Sequence, residues 1–385
     1  DGRTLAVESR MNPQAQYGAD VIMRANYALE HGTEALSMCV RKAVNEMLGS
    51  LAEDAGIRRE DVFQVCVVGN TCMHHLFLGI SPASLVHAPY TPAVSERLVL
   101  NAGDYGLAVQ ERAELIMLSD IAGYVGADTC GCLLAIRQDQ QEEISLMIDI
   151  GTNGEMVLGN RERMVTCSTA AGPAFEGAKI ECGMRGAAGA VDHVKYEDGK
   201  WNYTTVGNKP AVGLCGSGLI DLVAGLLDAG MLDENGVLRS GQEKQGVFIL
   251  VLPERGGNER GVYLTQKDLG EVQLAKAAIA AGIQMLMERL GITEDDICSV
   301  YIAGAFGNYM DPVSAGKIGL FPATLVKKVK PVGNAAGEGA KIALVNEKEM
   351  LEMDELVRKI EFVELAASAD FQDHFIDELG FETGE

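Results

Sequence analysis

The sequence predicts an α/β fold in two halves, and three observations support this. In the first half, an apolar strand runs into a Gly/Asn loop and a helix at DVFQVCVVGNTCMHHLFLG, which is the order of an α/β layer. In the second half, ICSVYIAGAFGNYMDP follows a long amphipathic helix with a similar strand and Gly/Asn loop, which indicates a weak internal duplication. The charged run RQDQQEE, residues 137–143, separates the two halves of the chain. We therefore expect subdomains at residues 1–140 and 141–385, facing each other across a cleft.

Composition agrees with two globular domains and excludes one class of partner. The 385 residues, 47% apolar and 23% charged, are enough for two hydrophobic cores. A formal net charge of -23 and a pI near 4.7 argue against nucleic acid, because a phosphate backbone is bound through clustered Lys and Arg. ATP is not excluded, since it needs only a local neutralising pocket and a magnesium ion.

The apolar segments are too short for a membrane helix, which needs roughly 20 apolar residues. The nearest, AKAAIAAGIQMLM, is short and carries Lys276. No signal-peptide pattern opens the chain. Nine cysteines lie scattered in apolar contexts, without the dense pairing of a secreted scaffold. We expect a cytoplasmic protein with no membrane partner.

Helices and short strands are predicted for the first half. After a turn, residues 4–8 read as a strand, and ADVIMRANYALEH then reads as a helix. The next helix has apolar residues at helical spacing from Leu36 to Leu51, a cap at Thr33 and a stop at Gly56. After DVFQVCVVGNTCMHHLFLG, the segment ELIMLSDIAGYVGADTCGCLLAI repeats the strand-then-helix order.

The second half opens with the most informative stretch, ISLMIDIGTNGEMVLGNRERMVTCS. It predicts a buried strand, residues 144–150, then a small-residue turn. A hairpin comes next, made of residues 155–158 and 164–167 around a turn at Asn160. The strand ends in an acidic residue, Asp149, next to the small-residue turn.

Further elements are predicted along the second half. STAAGPAFEGAKIECG is expected to be a loop with Pro173 near a helix start, and AVDHVKYEDGKWNYTTV a hairpin turned at Asp198 and Gly199. The longest helix is expected to begin at a Thr265 and Asp268 capping pair and to stop at Gly291. ADFQDHFIDELGF predicts a terminal helix.

The turn after Asp149 has the chemistry of a phosphate and metal site. Glycine lets the backbone approach a polyphosphate, and exposed amides and the Thr152 hydroxyl donate to its oxygens. A carboxylate holds magnesium, usually through water. The simpler alternative is an aspartate that caps its own turn. GLCGSGLID adds Gly216, Ser217 and Gly218 just ahead of a helix, which is either an anion site or a plain helix entry.

Two other pairs suggest metal binding, Cys130 with Cys132 and His74 with His75. Thiols two residues apart on a helix point well apart, and adjacent histidines do not share a helical face. We therefore favour structural roles for both pairs.

Seven segments together resemble the reductive activators of corrinoid proteins, and the resemblance covers essentially the whole chain. They are NPQAQYGADV, VVGNTCMHHLFLG, DIAGYVGADT, DIGTNGE, AGPAFEG, CGSGLID and YIAGAFGNYMDP. DIGTNGE, GLCGSG and IAGAFGN are also similar to the second phosphate loop and the adenosine loop of the acetate and sugar kinase, heat-shock chaperone and actin superfamily. The resemblance implies a duplicated RNase H-like (actin-like ATPase) fold, with two subdomains around a nucleotide cleft.

The resemblance also implies site residues. Asp149 would organise Mg²⁺ or the attacking water, and Glu155 is a second catalytic candidate, unless the alternating hairpin points it at solvent. Phe306 is either core or base-stacking. The expected cofactor-binding residues are Gly151, Thr152, Asn153, Gly154, Gly172, Gly216, Ser217 and Gly218, and on the adenosine side Gly304, Ala305, Gly307 and Asn308.

Such activators use ATP to return Co(II) corrinoid protein to Co(I) in corrinoid methyltransferase systems. The electron comes from a [2Fe-2S] cluster in an N-terminal ferredoxin-like domain. We accordingly expect ATP, Mg²⁺ and a corrinoid protein as partners, and a homodimer as one oligomeric state. The sequence has no C-x4-C-x2-C run, and no first Asp-Ile-Gly-Thr phosphate strand precedes residues 1–10. The expected description is a C-terminal ATPase fragment whose first half lacks a central strand, and both activity and inactivity of the fragment alone are open.

Three explanations are open for the place of that strand: noncovalent attachment of the missing segment, replacement by another segment, or partial disorder of the first half. Two alternatives to the activator are open as well. One is a small-molecule kinase of the same superfamily, with its acceptor in the cleft. The other is a nonenzymatic nucleotide-sensing scaffold.

Overall fold

The computed structural model describes residues 2–239, 246–253, 261–366 and 368–381. The helices are α1 Val21–His31, α2 Glu34–Ala55, α3 Thr71–Leu78, α4 Ala127–Ile136, α5 Gly216–Asp228, α6 Gln266–Leu290, α7 Gly304–Gly307, α8 Pro312–Lys317, α9 Ala335–Val345, α10 Glu347–Val357 and α11 Ala369–Asp377. The strands are β1 Gln64–Val67, β2 Leu98–Asn101, β3 Glu114–Met117, β4 Ile144–Ile150, β5 Gly154–Gly159, β6 Met164–Thr169, β7 Ala190–Glu197, β8 Lys200–Thr205, β9 Gly213–Leu214, β10 Val247–Val251, β11 Val262–Thr265, β12 Ile297–Ala303, β13 Val329–Gly333 and β14 Glu361–Phe362.

The chain forms two compact units. The first contains the residues up to Gln140 together with Asn334–Phe362, and the second contains Gln141–Gly333 and the residues from Val363 onward. The grouping changes at Gln140, within the charged run predicted to separate the halves. It differs from a simple division at that point because residues 334–362 return to the first unit. The division into domains at 1–140 and 141–385 stays a prediction.

A small mixed sheet forms the centre of the first unit. Its strand order is β1-β3-β2, with β1 parallel and β2 antiparallel to β3. Helices α4 and α9 pack closely because glycines face each other: a Cβ built on Gly339 would lie 1.9 Å from the carbonyl oxygen of Gly131. Such a contact excludes any side chain at either position.

The second unit is built on a larger sheet in which β13, β12, β4, β5 and β6 are neighbours in that order. Strand β12 runs parallel to both β4 and β13, whereas β4, β5 and β6 form an antiparallel meander. Helix α6 packs on this sheet, and β7, β8 and β9 form a second sheet against α5. The parallel pairing of β4 and β12 places their carboxyl ends at one sheet edge.

Elements with strong local signals formed as predicted. Helix α6 begins with a capping box: the Thr265 hydroxyl accepts from the Asp268 amide, and the Asp268 carboxylate accepts from the Thr265 amide. It ends at Gly291 in the left-handed conformation, φ 70°. The β7–β8 hairpin turns at Asp198 and Gly199 with φ of 51° and 74°, which the two residue types favour.

Two expected elements of secondary structure are wrong, and one expected cap lacks its hydrogen bond. Residues 4–8 are irregular and mostly exposed, because none of the described strands pairs with them. The segment after Pro173 forms consecutive turns rather than a helix, since Gly177 and Lys179 adopt φ of 81° and 66°. Thr33 is the N-cap residue of α2 as predicted, but its side chain makes no capping hydrogen bond, because its hydroxyl donates to the carbonyl of Gly79.

Two predicted loops are helical. The three residues 216–218 form the first turn of α5 rather than a stretch ahead of it, with Cys215 as the N-cap residue. Residues 304–307, expected to be a loop after β12, form the short helix α7. Within the described ranges, no helix combines the length and apolar character needed to cross a membrane.

Close packing of α5 on β7 gives a stability prediction. A Cβ built on Gly218 would lie 2.2 Å from the carbonyl oxygen of Val191, so Gly218→Ala forces backbone to move. We expect Gly218→Ala to destabilise the protein by about 1–3 kcal/mol. The matched control is Gly270→Ala in α6, where a built Cβ has no atom within 4 Å and a gain of about 0.5–1 kcal/mol is expected. Thermal melts of both variants test this, and a Gly218→Ala protein as stable as Gly270→Ala contradicts it.

Candidate functional site

The predicted phosphate turn joins β4 to β5 as a tight hairpin. Asp149 pairs with Glu155 and Ile150 with Gly154 across the two strands. The amide of Gly151 donates to the carbonyl of Asn153 at 2.9 Å, which closes the turn. Asp149 is therefore at the carboxyl end of a central strand, with the glycine-rich turn directly after it.

The end of β12 meets this turn. Asp149 is the register partner of Ala303, so the next residue, Gly304, lies beside the carboxylate. Gly304 adopts φ 88°, and a Cβ built on it would lie 2.9 Å from Asp149 Oδ1 and 3.4 Å from the carbonyl oxygen of Ile150. Only glycine fits between these oxygens without displacing them. The structure thus brings together two predicted site residues that are far apart in sequence, at the sheet edge where α/β proteins bind ligands.

Glu176 is a residue of the site that sequence reasoning missed. The Thr152 hydroxyl donates to Glu176 Oε1 at 2.7 Å. A Cβ built on Gly151 would lie 3.7 Å from the same oxygen, so the carboxylate covers the turn. The sequence feature that could have identified Glu176 is its place as an acidic residue between the two glycines of AGPAFEG. In that segment only Gly172 was predicted to bind a ligand.

The loop that carries Glu176 is fixed by its own neighbours. Ala174 and Phe175 are buried in the core of the second unit. The amide of Glu181 donates to Asp268 Oδ1 at 2.9 Å, so the capping carboxylate of α6 also holds this loop. Lys179 adds an ion pair with Glu271 of α6 at 3.4 Å. Glu176 therefore approaches the phosphate turn from an anchored backbone.

Gly172 and Glu155, two further predicted site residues, have different surroundings. Gly172 adopts φ 78°, and a Cβ built on it has no atom within 4 Å, so its backbone borders open space. Glu155 is only 9% exposed, and Ser168 Oγ donates to its Oε1 at 3.4 Å. The alternative that β5 points Glu155 at solvent is wrong, while its catalytic role stays a prediction.

Packing explains why small residues stand at the start of α5, where the sequence suggested an anion site. Gly218 lies against the Val191 carbonyl, and Ser217 is 2% exposed with its hydroxyl 3.4 Å from Cys215 Sγ. The first turn of α5 is thus buried in the contact of this helix with β7. A ligand role for Gly216, Ser217 and Gly218 stays a prediction.

Gly307 and Asn308, which are predicted to line the adenosine side of the nucleotide site, pack closely against their neighbours. A Cβ built on Gly307 would lie 2.8 Å from the carbonyl oxygen of Ile302, so a glycine is required there. The Asn308 side chain lies next to Gly333 at the end of β13, where a built Cβ would be 3.0 Å from Asn308 Nδ2. The side chains of Ala305 and Phe306 lie outside the described part of the structure. Nucleotide contact by Gly304, Ala305, Gly307 and Asn308 stays a prediction.

The cysteine and histidine pairs of the first unit are buried. Cys130 and Cys132 are fully buried on α4, and burial raises the pKa of the Cys130 thiol. Both histidines are buried on α3: His74 Nδ1 lies 3.2 Å from Asp120. His75 Nε2 accepts from the Ala93 amide, so its Nδ1 carries the proton and donates to the Thr71 carbonyl. Burial lowers the pKa of His75, which favours this neutral form.

The fold of the second unit, with its phosphate turn at the junction of β4 and β12, is that of an actin-like ATPase. Residues 143–385 match the family described as the C-terminal domain of RACo, the ASKHA domain. ASKHA denotes the acetate and sugar kinase, heat-shock chaperone and actin superfamily. Residues 1–141 match the RACo middle region. The chain belongs to the RACo family, and the predicted fold class is confirmed.

The names of similar proteins agree with this family assignment. The chain is 35% identical over 393 residues to the corrinoid activation enzyme RamQ of Eubacterium limosum, covering 97% of this chain and 66% of that protein. It is 26% identical to the [Co(II) methylated amine-specific corrinoid protein] reductase of Methanosarcina barkeri, covering 95% of this chain and 71% of that protein. A solved structure of a reductive activator for corrinoid, iron-sulfur protein superposes with a TM-score of 0.90 at 37% identity, covering 99% of this chain. The chain spans 66% of the first relative and 62% of the solved chain.

Differences in thiol burial give a prediction about reactivity. Burial raises the pKa of Cys66 and Cys72 to about 12, whereas Cys298 is exposed. At pH 8 a thiol of pKa 12 is thiolate in about one molecule in 10,000, and the thiolate is the nucleophile. We expect an alkylating reagent at pH 8 to modify Cys298 at least about 100-fold faster than Cys66, Cys72 or Cys130.

Peptide mass spectrometry over a time course measures these rates. The denatured protein is the control, in which all nine cysteines should react at similar rates. Rapid labelling of Cys130 in the folded protein would contradict its place in the core.

Proposed function

We propose that this chain is the ATPase region of an ATP-dependent reductive activator that returns Co(II) corrinoid protein to Co(I). Its relatives are named as a corrinoid activation enzyme, a corrinoid protein reductase and a reductive activator. These names favour the activator over the small-molecule kinase, although both share the superfamily fold. The names describe the relatives, and the proposal extends their activity to this chain.

The main observation in support of a nucleotide site is that Asp149 and Gly304 lie side by side at the ends of β4 and β12. This arrangement brings one carboxylate, the backbone of the turn at residues 152 and 153, and the Thr152 hydroxyl to a single sheet edge. The Gly151 amide is already used to close the turn. Amides and a hydroxyl are donors for phosphate oxygens, and close glycine backbone admits a polyphosphate. In this proposal ATP lies with its phosphates on the turn. Asp149 would organise Mg²⁺ or the attacking water.

The residues of the turn fit a magnesium ion that arrives with ATP. Mg²⁺ is usually bound by one or two carboxylates, with substrate phosphates and water completing six oxygens. Asp149 and Glu176 both lie at the turn and would supply these carboxylates. Within the described ranges, no group of three or more His, Cys, Asp or Glu forms a metal site. When bound, the ion would neutralise phosphate charge, and Asp149 would hold it directly or through water.

The described residues do not fit a [2Fe-2S] cluster. Such a cluster needs four thiolates at one place. The cysteines of this chain lie at separate positions in the two units, and most of them are buried. We propose that the electron for cobalt comes from a [2Fe-2S] group outside the described residues. The cobalt step itself is the gain of one electron by Co(II).

Nucleotide and corrinoid binding must be coupled for ATP to assist reduction. A ligand shifts a conformational equilibrium only through its different affinity for the two states. We propose that ATP and the corrinoid protein favour the same state of the activator. A homodimer is compatible with this scheme and is part of the proposal.

Replacement of the catalytic carboxylate tests the proposal. We expect Asp149→Asn to lower corrinoid-stimulated ATP hydrolysis about 100-fold or more, because the charge that orients water or metal is lost. The matched control is Asp198→Asn at the β7–β8 turn, where asparagine tolerates the φ of 51°. Phosphate release and the cobalt absorbance are followed together, with a candidate corrinoid protein and a low-potential reductant.

Two outcomes would contradict the proposal. One is hydrolysis that Asp149→Asn leaves unchanged. The other is phosphate that appears on a small acceptor with no stimulation by any corrinoid protein, which would identify a kinase.

A further inference from the structure

The Thr152 hydroxyl is already used by a protein carboxylate. It has one proton, and it donates that proton to Glu176 Oε1 at 2.7 Å. Hydrogen bonds to carboxylates are stronger than those between neutral groups. A phosphate oxygen that accepts from Thr152 must therefore replace Glu176. The two hydrogen bonds exclude each other.

The backbone that carries Glu176 is unsuited to moving away. Phe175 is buried in the core, and Gly177 adopts φ 81° with the backbone of Met184 against it, where a built Cβ would lie 2.6 Å from the Met184 amide nitrogen. On the far side, Asp268 holds the Glu181 amide. The Glu176 side chain, in contrast, is half-buried and has three rotatable bonds. Release of Thr152 is expected to occur by rotation of this side chain.

The negative charge of Glu176 favours a phosphate chain that carries a divalent cation over one that does not, once Thr152 is released. A carboxylate this close to the turn repels a bare phosphate chain, since two like charges at a few ångströms interact strongly near a protein surface. A divalent cation on the phosphates reverses the sign, because the carboxylate then faces a positive ion. The same side chain that opposes a free nucleotide would thus favour a nucleotide with its cation.

We infer that Glu176 makes nucleotide binding at the phosphate turn depend on a divalent cation. It withholds Thr152 from phosphate that arrives without the ion and supports phosphate that arrives with it. This inference rests on the proposed nucleotide site and adds its selectivity for the metal-bound form.

The test is ADP binding by calorimetry, with Mg²⁺ or with a chelator, for the wild type and Glu176→Gln. The substitution keeps the shape and an acceptor for Thr152 but removes the charge. Without Mg²⁺, we expect Glu176→Gln to bind ADP about tenfold more tightly than the wild type, because repulsion is gone and the competing hydrogen bond is weaker. With Mg²⁺, we expect it to bind about tenfold more weakly, because a carboxylate for the cation is lost.

Glu181→Gln is the matched control. It removes the same charge from the same loop, but its side chain is exposed and accepts from Tyr263, away from the turn. It should bind ADP as the wild type does under both conditions. A thermal melt of each variant shows that it is folded.

The outcomes distinguish the role of Glu176 from the nucleotide site itself. If the wild type binds Mg²⁺ with ADP but Glu176→Gln shifts affinity equally with and without Mg²⁺, or not at all, the inference is overturned and the nucleotide site stands. An effect of Glu181→Gln as large as that of Glu176→Gln also overturns it, because general loop charge then explains the result. If the wild type binds no ADP under either condition, both the site and the inference are overturned.

Discussion

The candidate site depends on the parallel pairing of β4 with β12. This pairing sets Asp149 beside Ala303, and the chain turns away from the sheet at Gly304. The turn is possible because glycine accepts φ 88° and leaves room for the Asp149 carboxylate. A change of register by one residue would move Asp149 to the other face of the sheet. The buried sheet around these strands therefore fixes the chemistry at its edge.

A second constraint links this edge to the long helix α6. The carboxylate of Asp268 caps α6 through Thr265 and also holds the Glu181 amide of the loop that carries Glu176. Asp268 is fully buried, so these hydrogen bonds are shielded from water. One carboxylate thereby orders both a helix start and a site loop. The turn after Asp149, the Glu176 loop and α6 therefore form one connected structure.

Sequence reasoning found the parts of this protein that have local causes. The caps of α6, the stop at Gly291 and the turn at Asp198 and Gly199 need only neighbouring residues, and each formed as predicted. The expected strand at residues 4–8 failed because a strand needs a partner, which periodicity does not supply. Glu176 was missed for a similar reason, since its hydrogen bond to Thr152 joins two turns that only the tertiary fold brings together. For Gly218 the sequence context indicates a ligand site. Packing against Val191, however, is enough to explain why this position must be glycine.

The proposed function depends most on the binding of nucleotide phosphate at the turn after Asp149. Hydrogen–deuterium exchange with and without ADP and Mg²⁺ measures this directly, because amides that donate to phosphate exchange more slowly. We predict the largest protection at residues 150–155, with smaller protection at 172–177 and 304–308. Protection confined to other segments, with exchange at 150–155 unchanged at saturating ADP, would contradict phosphate binding at this turn.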